Sequence, residues 1–315
     1  MINEGLLQHV PGCENGDPPL SQELIGGGKV NQSFLVRTSR GRFVVRLNES
    51  SALDPGLDRE RELAVHAAAA GAGIAPRIVY ANPERSCLIT EYLEGRLWTP
   101  HYFTRMRDLR SLGARLRLLH MVTPPAIARF DPMVSARRYA DAIIGSDPAD
   151  AKRITTLLER GEQAMQNSGS RERTPCIVHS DLHHGNVLTA DRIYLVDWEF
   201  AHLGDPLFDL ACIVAYYPRA AAHGGLLLEA AGLAERAVTE AELGEMTRVF
   251  NLLTYLWYRT RRVVRSVPTT DLQLEAAALR GLIALAPEVQ PRHTSGANSR
   301  GIAGTVKRNG DVAGD

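Results

Sequence analysis

No apolar run in this sequence approaches the ~18 residues that a membrane-spanning helix requires. The opening "MINEGLLQHVPGCENGDPPL" also lacks the basic start and apolar stretch of a secretory signal. Neither charge is in excess: 36 Lys+Arg balance 36 Asp+Glu. A general nucleic-acid binder carries a basic surplus, so nucleic acid is not an expected partner. Cysteine is scarce. The four thiols, Cys13, Cys87, Cys176 and Cys212, are far apart and show no paired spacing of a disulfide frame or zinc knuckle. Together these absences lead us to expect a cytoplasmic chain with reduced thiols and no membrane insertion. What remains is 315 residues at 44% hydrophobic content, enough for one large domain or two lobes.

The apolar patterning changes once along the chain. "FLVRT" and "FVVRL" flank a short turn containing Gly41, which predicts an antiparallel hairpin. Three glycines in "IGGGKVNQS" enter its first strand. The Ala-rich segment 57–73 reads as a helix, and "PRIVYAN" and "SCLITEYLEG" read as two further strands. From Leu97 onward the spacing is helical over 104–120, 133–145, 149–167, 206–217, 224–234, 239–266 and 270–285. The short strands "CIVH", "NVLT" and "IYLVDW" interrupt it. Beyond Pro291 the chain is rich in Gly, Ser and Asn, and 291–315 is expected to be a disordered tail. The expectation is an α+β, two-lobed chain: a small antiparallel β lobe with one helix over 1–93, and a larger, mainly helical lobe over 94–290. A hinge near Glu91–Gly95 would border a cleft between them.

The densest chemistry lies in "HSDLHHGNVLTADRIYLVDWE", residues 179–199. A hairpin turning at Ala190–Arg192 would bring Asn186 and Asp197 to one end. One neutral and one anionic oxygen suit Mg²⁺, which binds one or two carboxylates plus substrate phosphates. Asp181 would sit nearby, able to accept a proton from an attacking hydroxyl, as in-line phosphoryl transfer requires. A competing reading gathers His179, Asp181, His183 and His184 around a transition metal, as in a hydrolase. That reading leaves the glycine run, Arg46 and "VDWE" without a use.

The H-x-D-x-x-x-x-N pattern of "HSDLHHGN", paired with "VDWEFAHLGDPLFDLA" (196–211), resembles the choline/ethanolamine/thiamine kinase branch of the aminoglycoside phosphotransferase superfamily. That superfamily is related to the protein kinases, and the resemblance covers roughly residues 20 to 265. It implies a protein-kinase-like two-lobed fold that uses ATP and Mg²⁺. Carried over residue by residue, it makes Asp181 the catalytic base, buttressed by His179, and makes Asn186 and Asp197 the metal ligands. Asp209 would hold the catalytic loop. "GGGKVNQSF" would be the phosphate loop, with Gly26, Gly27, Gly28 and Asn31, where missing side chains let backbone N–H groups approach phosphate. Arg46 stands where protein kinases carry a lysine, and its guanidinium suits α/β-phosphate oxygens. Glu62 would orient it, with Glu60 as the fallback. Glu91 and Leu93, in "TEYLEG", would offer backbone groups to adenine.

For the acceptor, Glu199 at its strand end is a candidate to face the pocket and attract an amine, and the resemblance points to Tyr255, Trp257 and Tyr258 of the late helix "RVFNLLTYLWYRTRR" as a cation–π cage. The alternative for that helix is a buried stripe of Phe250, Leu253 and Trp257. Arg259, Arg261 and Arg262 read as a solvated helix end, and His183 and His184 as ordinary loop residues. The implied activity is ATP-dependent transfer of the γ-phosphoryl group to a hydroxyl of a small amine such as choline, ethanolamine or thiamine. An aminoglycoside-type acceptor is the alternative, with Asp131, Asp141, Asp147 and Asp150 as its acidic candidates. A metal-dependent hydrolase and a non-catalytic nucleotide-binding module rank below both.

Overall fold

The computed structural model describes residues 2–27, 31–48, 57–264 and 269–284. Gly28 and the expected tail 291–315 lie outside the described residues. Helix α1 (Glu4–Leu7) is capped by Asn3, whose side chain accepts the Gly5 N–H. Three strands follow, β1 (Ser21–Gly27), β2 (Asn31–Thr38) and β3 (Gly41–Asn48), then helix α2 (Arg59–Gly71) and strands β4 (Ile78–Ala81) and β5 (Cys87–Glu91). They form one antiparallel sheet in the order β1-β2-β3-β5-β4. The two-residue period of the strands gives the sheet two different faces. Phe34, Phe43, Val45, Cys87 and Ile89 point to one side and pack with Ile2, Leu7, Val10 and Cys13. Ser33, Val44, Arg46, Leu88 and Thr90 point to the other and line a cleft. Residues 2–13 therefore cover the back of the sheet and leave its front free.

Strand β1 is a departure from the sequence expectation. Gly26 and Gly27 are not a loop entering the hairpin; they end this extra edge strand, opposite Ser33 and Gln32 across a bulge after Leu24. Its side chains are mostly exposed, so no burial pattern marks it.

The chain crosses to the second lobe at Gly95. A side chain there would meet the Thr189 carbonyl oxygen at 2.6 Å, so only glycine allows strand β6 (Arg96–Leu97) to approach its partner. Helices α3 (Met106–His120), α4 (Pro132–Ser146) and α5 (Ala151–Asn167) lead to strands β7 (Cys176–Val178), β8 (Val187–Thr189), β9 (Ile193–Leu195) and β10 (His202–Gly204). Helices α6 (Leu207–Tyr216), α7 (Gly224–Ala230), α8 (Glu240–Val264) and α9 (Thr269–Ala284) complete the lobe. β6 pairs with β8, β8 with β9, and β7 with β10, all antiparallel. Leu109, Leu112, Leu116 and Leu119 form the buried stripe of α3. The long helix α8 packs against α4, α5, α6 and α9, at the centre of the helical layer.

The late arginines depart from expectation. Arg259 is buried, with Nη2 at 2.9 Å from Asp147 and 3.1 Å from Asp150. Arg261 is buried beside Asp271. These two are packed against neighbouring elements rather than solvated, whereas Arg262 is exposed as expected and pairs with Glu275 at 3.0 Å.

Candidate active site

The loop after β7 is held from behind by one helix. Asp209, fully buried in the first turn of α6, accepts the backbone N–H groups of His179 at 2.9 Å and Ser180 at 2.8 Å through Oδ1. Its other oxygen accepts from His120 Nε2 at 3.0 Å. One turn on, Cys212 Sγ accepts the Leu182 N–H at 3.0 Å. Another turn on, the Tyr216 hydroxyl donates to Asp181 Oδ1 at 2.8 Å. Residues 209, 212 and 216 share one helix face, so a single element grips three consecutive points of the loop. Ser180 adopts φ +66, a left-handed conformation that the grip sustains.

His179 is an internal strut. Its Nε2–H donates to the Val196 carbonyl at 3.0 Å, which leaves Nδ1 to accept the Asp181 N–H at 3.3 Å. Burial lowers its pKa, so the ring stays neutral. The hairpin of β8 and β9 behaves as the spacing implied, with the Val196 N–H donating to the Asn186 carbonyl at 3.0 Å. Asp197 follows at φ +63. Asn186 Nδ2 donates to Asp181 Oδ2 and to the Asp181 carbonyl, both at 2.9 Å. Asn186 Oδ1 and Asp197 Oδ2 make no hydrogen bond among the described residues, and both side chains line the cleft. Two hard oxygens of this kind fit Mg²⁺ completed by phosphate and water.

The histidines do not converge. His183 Nδ1 accepts the Gly185 N–H at 3.0 Å, while its Nε2 lies 3.5 Å from Asp181 Oδ2. His184 is paired with the Tyr217 hydroxyl at 2.8 Å. Among the described residues, no three His, Cys, Asp or Glu side chains are grouped to hold a metal ion.

Across the cleft, Arg46 bridges the lobes. Its Nη2 pairs with Glu62 Oε1, and its Nη1 reaches Asp197 Oδ1 at 3.1 Å. Glu62 also holds Arg59 at 2.7 Å, whereas Glu60 is committed to Arg85 on the surface, so the helix register favours Glu62. Burial by itself would raise the Glu62 carboxyl, but Arg46 and Arg59 overcome it and keep the group below its usual range. Arg59 Nη2 donates to Asn31 Oδ1 at 2.9 Å, and Asn31 Nδ2 donates to Glu199 Oε2 at 2.7 Å. Asn31 and Glu199 are therefore bonded to each other, on the Arg46 side of the cleft, rather than being free ligands for phosphate or amine. Burial, followed by the charge of Asp197, pushes Glu199 up to about 8. Sequence reasoning missed Arg59, although the acid–base alternation of "DRERE" carried the signal. It also missed Tyr216, for which the sequence holds no signal.

The cleft has a volume of about 1320 Å3. Glu91 and Leu93 line it beside Val44 and Leu88. Its wall also includes Tyr216, Phe250, Trp257 and Tyr258. On α8, positions 250, 254, 257 and 258 share a face, and both readings of the late helix meet there: the stripe is packed and also lines the cleft. The guanidinium of Arg261 lies 4.6 Å from the centre of the Trp257 ring, taking one of its faces. Tyr255 is turned away, buried beneath Arg153 at 5.5 Å, and does not line the cleft. Nor do Asp131, Asp141, Asp147 and Asp150. Asp131 caps α4, and Asp147 and Asp150 hold Arg259.

The model of the "Phosphotransferase enzyme family" matches residues 21–243. Protein LicA of Haemophilus influenzae is 27% identical over 198 residues, covering 60% of this chain and 56% of that protein. A thiamine kinase of Salmonella paratyphi B is 28% identical over 201 residues, covering 61% of this chain and 64% of that protein. The matched stretch thus spans less than two thirds of either relative. The crystal structure of choline kinase LicA from Streptococcus pneumoniae superposes with a TM-score of 0.73 at 16% identity, covering 89% of this chain and 99% of that one, which shows a shared fold.

Proposed function

Starting from the fact that the chain belongs to the phosphotransferase enzyme family, we propose that it transfers the γ-phosphoryl group of ATP to a hydroxyl of a small amine such as choline, ethanolamine or thiamine. The observation that carries this is the meeting of Asp181, Asn186 and Asp197 in one cleft, opposite the Arg46–Glu62 pair. Arg46 would bind phosphate oxygens, and Glu91 and Leu93 would border the base. Mg²⁺ on Asn186 and Asp197 would supply charge neutralisation at the phosphates. Asp181 orients the acceptor hydroxyl and takes its proton as the new O–P bond forms and the bond to the ADP oxygen breaks. A positioned base is typically worth about 10²–10⁴ in rate.

The acceptor end favours a compact cation over a polycation. Its wall of Tyr216, Phe250, Trp257 and Tyr258 suits a quaternary ammonium or a thiamine-like ring. Asp131, Asp141, Asp147 and Asp150 do not line the cleft, and the carboxylates that do, Glu91, Asp181, Asp197 and Glu199, are assigned or paired elsewhere in this reading. ADP release from MgATP, with choline, ethanolamine, thiamine and kanamycin supplied separately, tests the reading. Turnover with one of the first three acceptors, lost in Asp181→Asn, is the expected result. Turnover with kanamycin alone would move the acceptor to the aminoglycoside class. Failure to bind MgATP would overturn the kinase reading.

A further inference from the structure

Tyr216 stands apart from the motif that identifies the catalytic loop, yet it touches that loop's central carboxylate. Its ring is set by edge-on packing against Phe250, with centroids 5.5 Å apart, and against His183 at 6.0 Å. Burial, followed by the Asp181 charge, raises its pKa well above the usual tyrosine range, so the hydroxyl keeps its proton and acts as a donor. That proton goes to Asp181 Oδ1 at 2.8 Å, while Asn186 Nδ2 occupies one position on Oδ2 at 2.9 Å. An ionised carboxylate offers about four acceptor positions, two on each oxygen. With one taken on each side, the plane of the carboxylate is set; His183 Nε2, 3.5 Å from Oδ2, borders the second position there, and Oδ1 keeps one for a further partner.

We propose that Tyr216 is a positioning residue for Asp181: its hydroxyl holds the carboxylate in the orientation that receives the acceptor's proton. This rests on the reading of Asp181 as the base. Backbone anchoring by Asp209 and Cys212 places the loop but leaves the Asp181 side chain free to rotate. The Tyr216 and Asn186 contacts remove that freedom. The tyrosine also belongs to the acceptor wall. A bound acceptor therefore meets, in one residue, both a packing surface and the group that orients its base.

The test compares the wild-type enzyme with Tyr216→Phe, which keeps the ring and removes only the hydroxyl. Loss of one hydrogen bond to a charged group predicts a fall in kcat of about 10- to 100-fold. KM for ATP and for the acceptor should stay within about twofold, because only transition-state alignment is affected. A second arm labels the protein with 3-fluorotyrosine and follows it by 19F NMR. The Tyr216 signal, assigned by its absence in Tyr216→Phe, should move in Asp181→Asn. An unchanged kcat overturns the proposal. So does a loss shared equally by kcat and both KM values, which marks a merely structural role, and so does a Tyr216 signal indifferent to Asp181→Asn. Wild-type enzyme inactive with every acceptor is a different failure: it overturns the acceptor list of the proposed function, and the 19F arm, which needs no turnover, then decides the Tyr216–Asp181 contact by itself.

Discussion

Removing Asp209 tests how the loop that carries Asp181 is held. Three donors converge on its buried carboxylate: the N–H groups of His179 and Ser180 on Oδ1, and His120 Nε2 on Oδ2. In Asp209→Ala all three lose their acceptor where water does not reach. At about 1–3 kcal/mol for each unsatisfied donor, the loss sums to roughly 3–9 kcal/mol. That is a large share of the about 5–15 kcal/mol that holds a typical protein folded. Asp209→Asn should behave differently. Its amide oxygen can still accept both backbone N–H groups, and only the His120 side is disturbed. His120 Nδ1 is buried with no partner among the described residues, so Nε2 carries the donated proton. Facing an amide NH2, the ring must move that proton to Nδ1, where it finds no acceptor. The Asn variant should therefore lose only about 1–2 kcal/mol. Urea unfolding followed by tryptophan fluorescence measures both variants. The expected order is wild type, then Asn, then Ala, with kcat falling in the same order as the loop loses its register. Equal costs for Asn and Ala, or both within about 0.5 kcal/mol of wild type, would refute the anchoring argument.

Three further outcomes follow from the cleft. Arg46→Lys should raise the KM for ATP about tenfold, because a single ammonium cannot span Glu62 and Asp197 as the guanidinium fork does; an unchanged KM would count against a phosphate role. Glu199 titrates near 8 when folded against an ordinary 4.5, so its contribution to stability is complete below about 4.5 and lost as pH rises through about 8. Glu199→Gln should therefore gain on the nucleotide-free wild type as pH rises across that window, by at most about 1.4 kcal/mol per pH unit, and parallel stability curves would contradict it. Trp257→Ala should raise the acceptor KM about 2- to 30-fold with little change for ATP, whereas Tyr255→Phe, turned from the cleft, should leave both unchanged; steady-state kinetics with the active acceptor distinguish the two.

The parts of this protein that the sequence alone determined are local. Asp181 and Asn186 lie five residues apart on one loop, and an alternating hairpin returns the chain so that Val196 bonds to Asn186. The paired strands β2 and β3 and the leucine stripe of α3 follow from periods of two and 3.6, which neighbouring residues set between themselves. Strand β1 escaped this reading because an edge strand with exposed side chains leaves no burial pattern. What packing alone decided spans longer separations. Asn31 finds Glu199 across 168 positions, and Arg259 finds Asp147 across 112. Tyr216 reaches Asp181 only because α6 docks along the loop after β7. A single charge or hydroxyl in a sequence carries no direction. Its partner is chosen when burial removes water and leaves one group close enough to satisfy it, so Glu199 bonds to Asn31 and Tyr255 turns into the core.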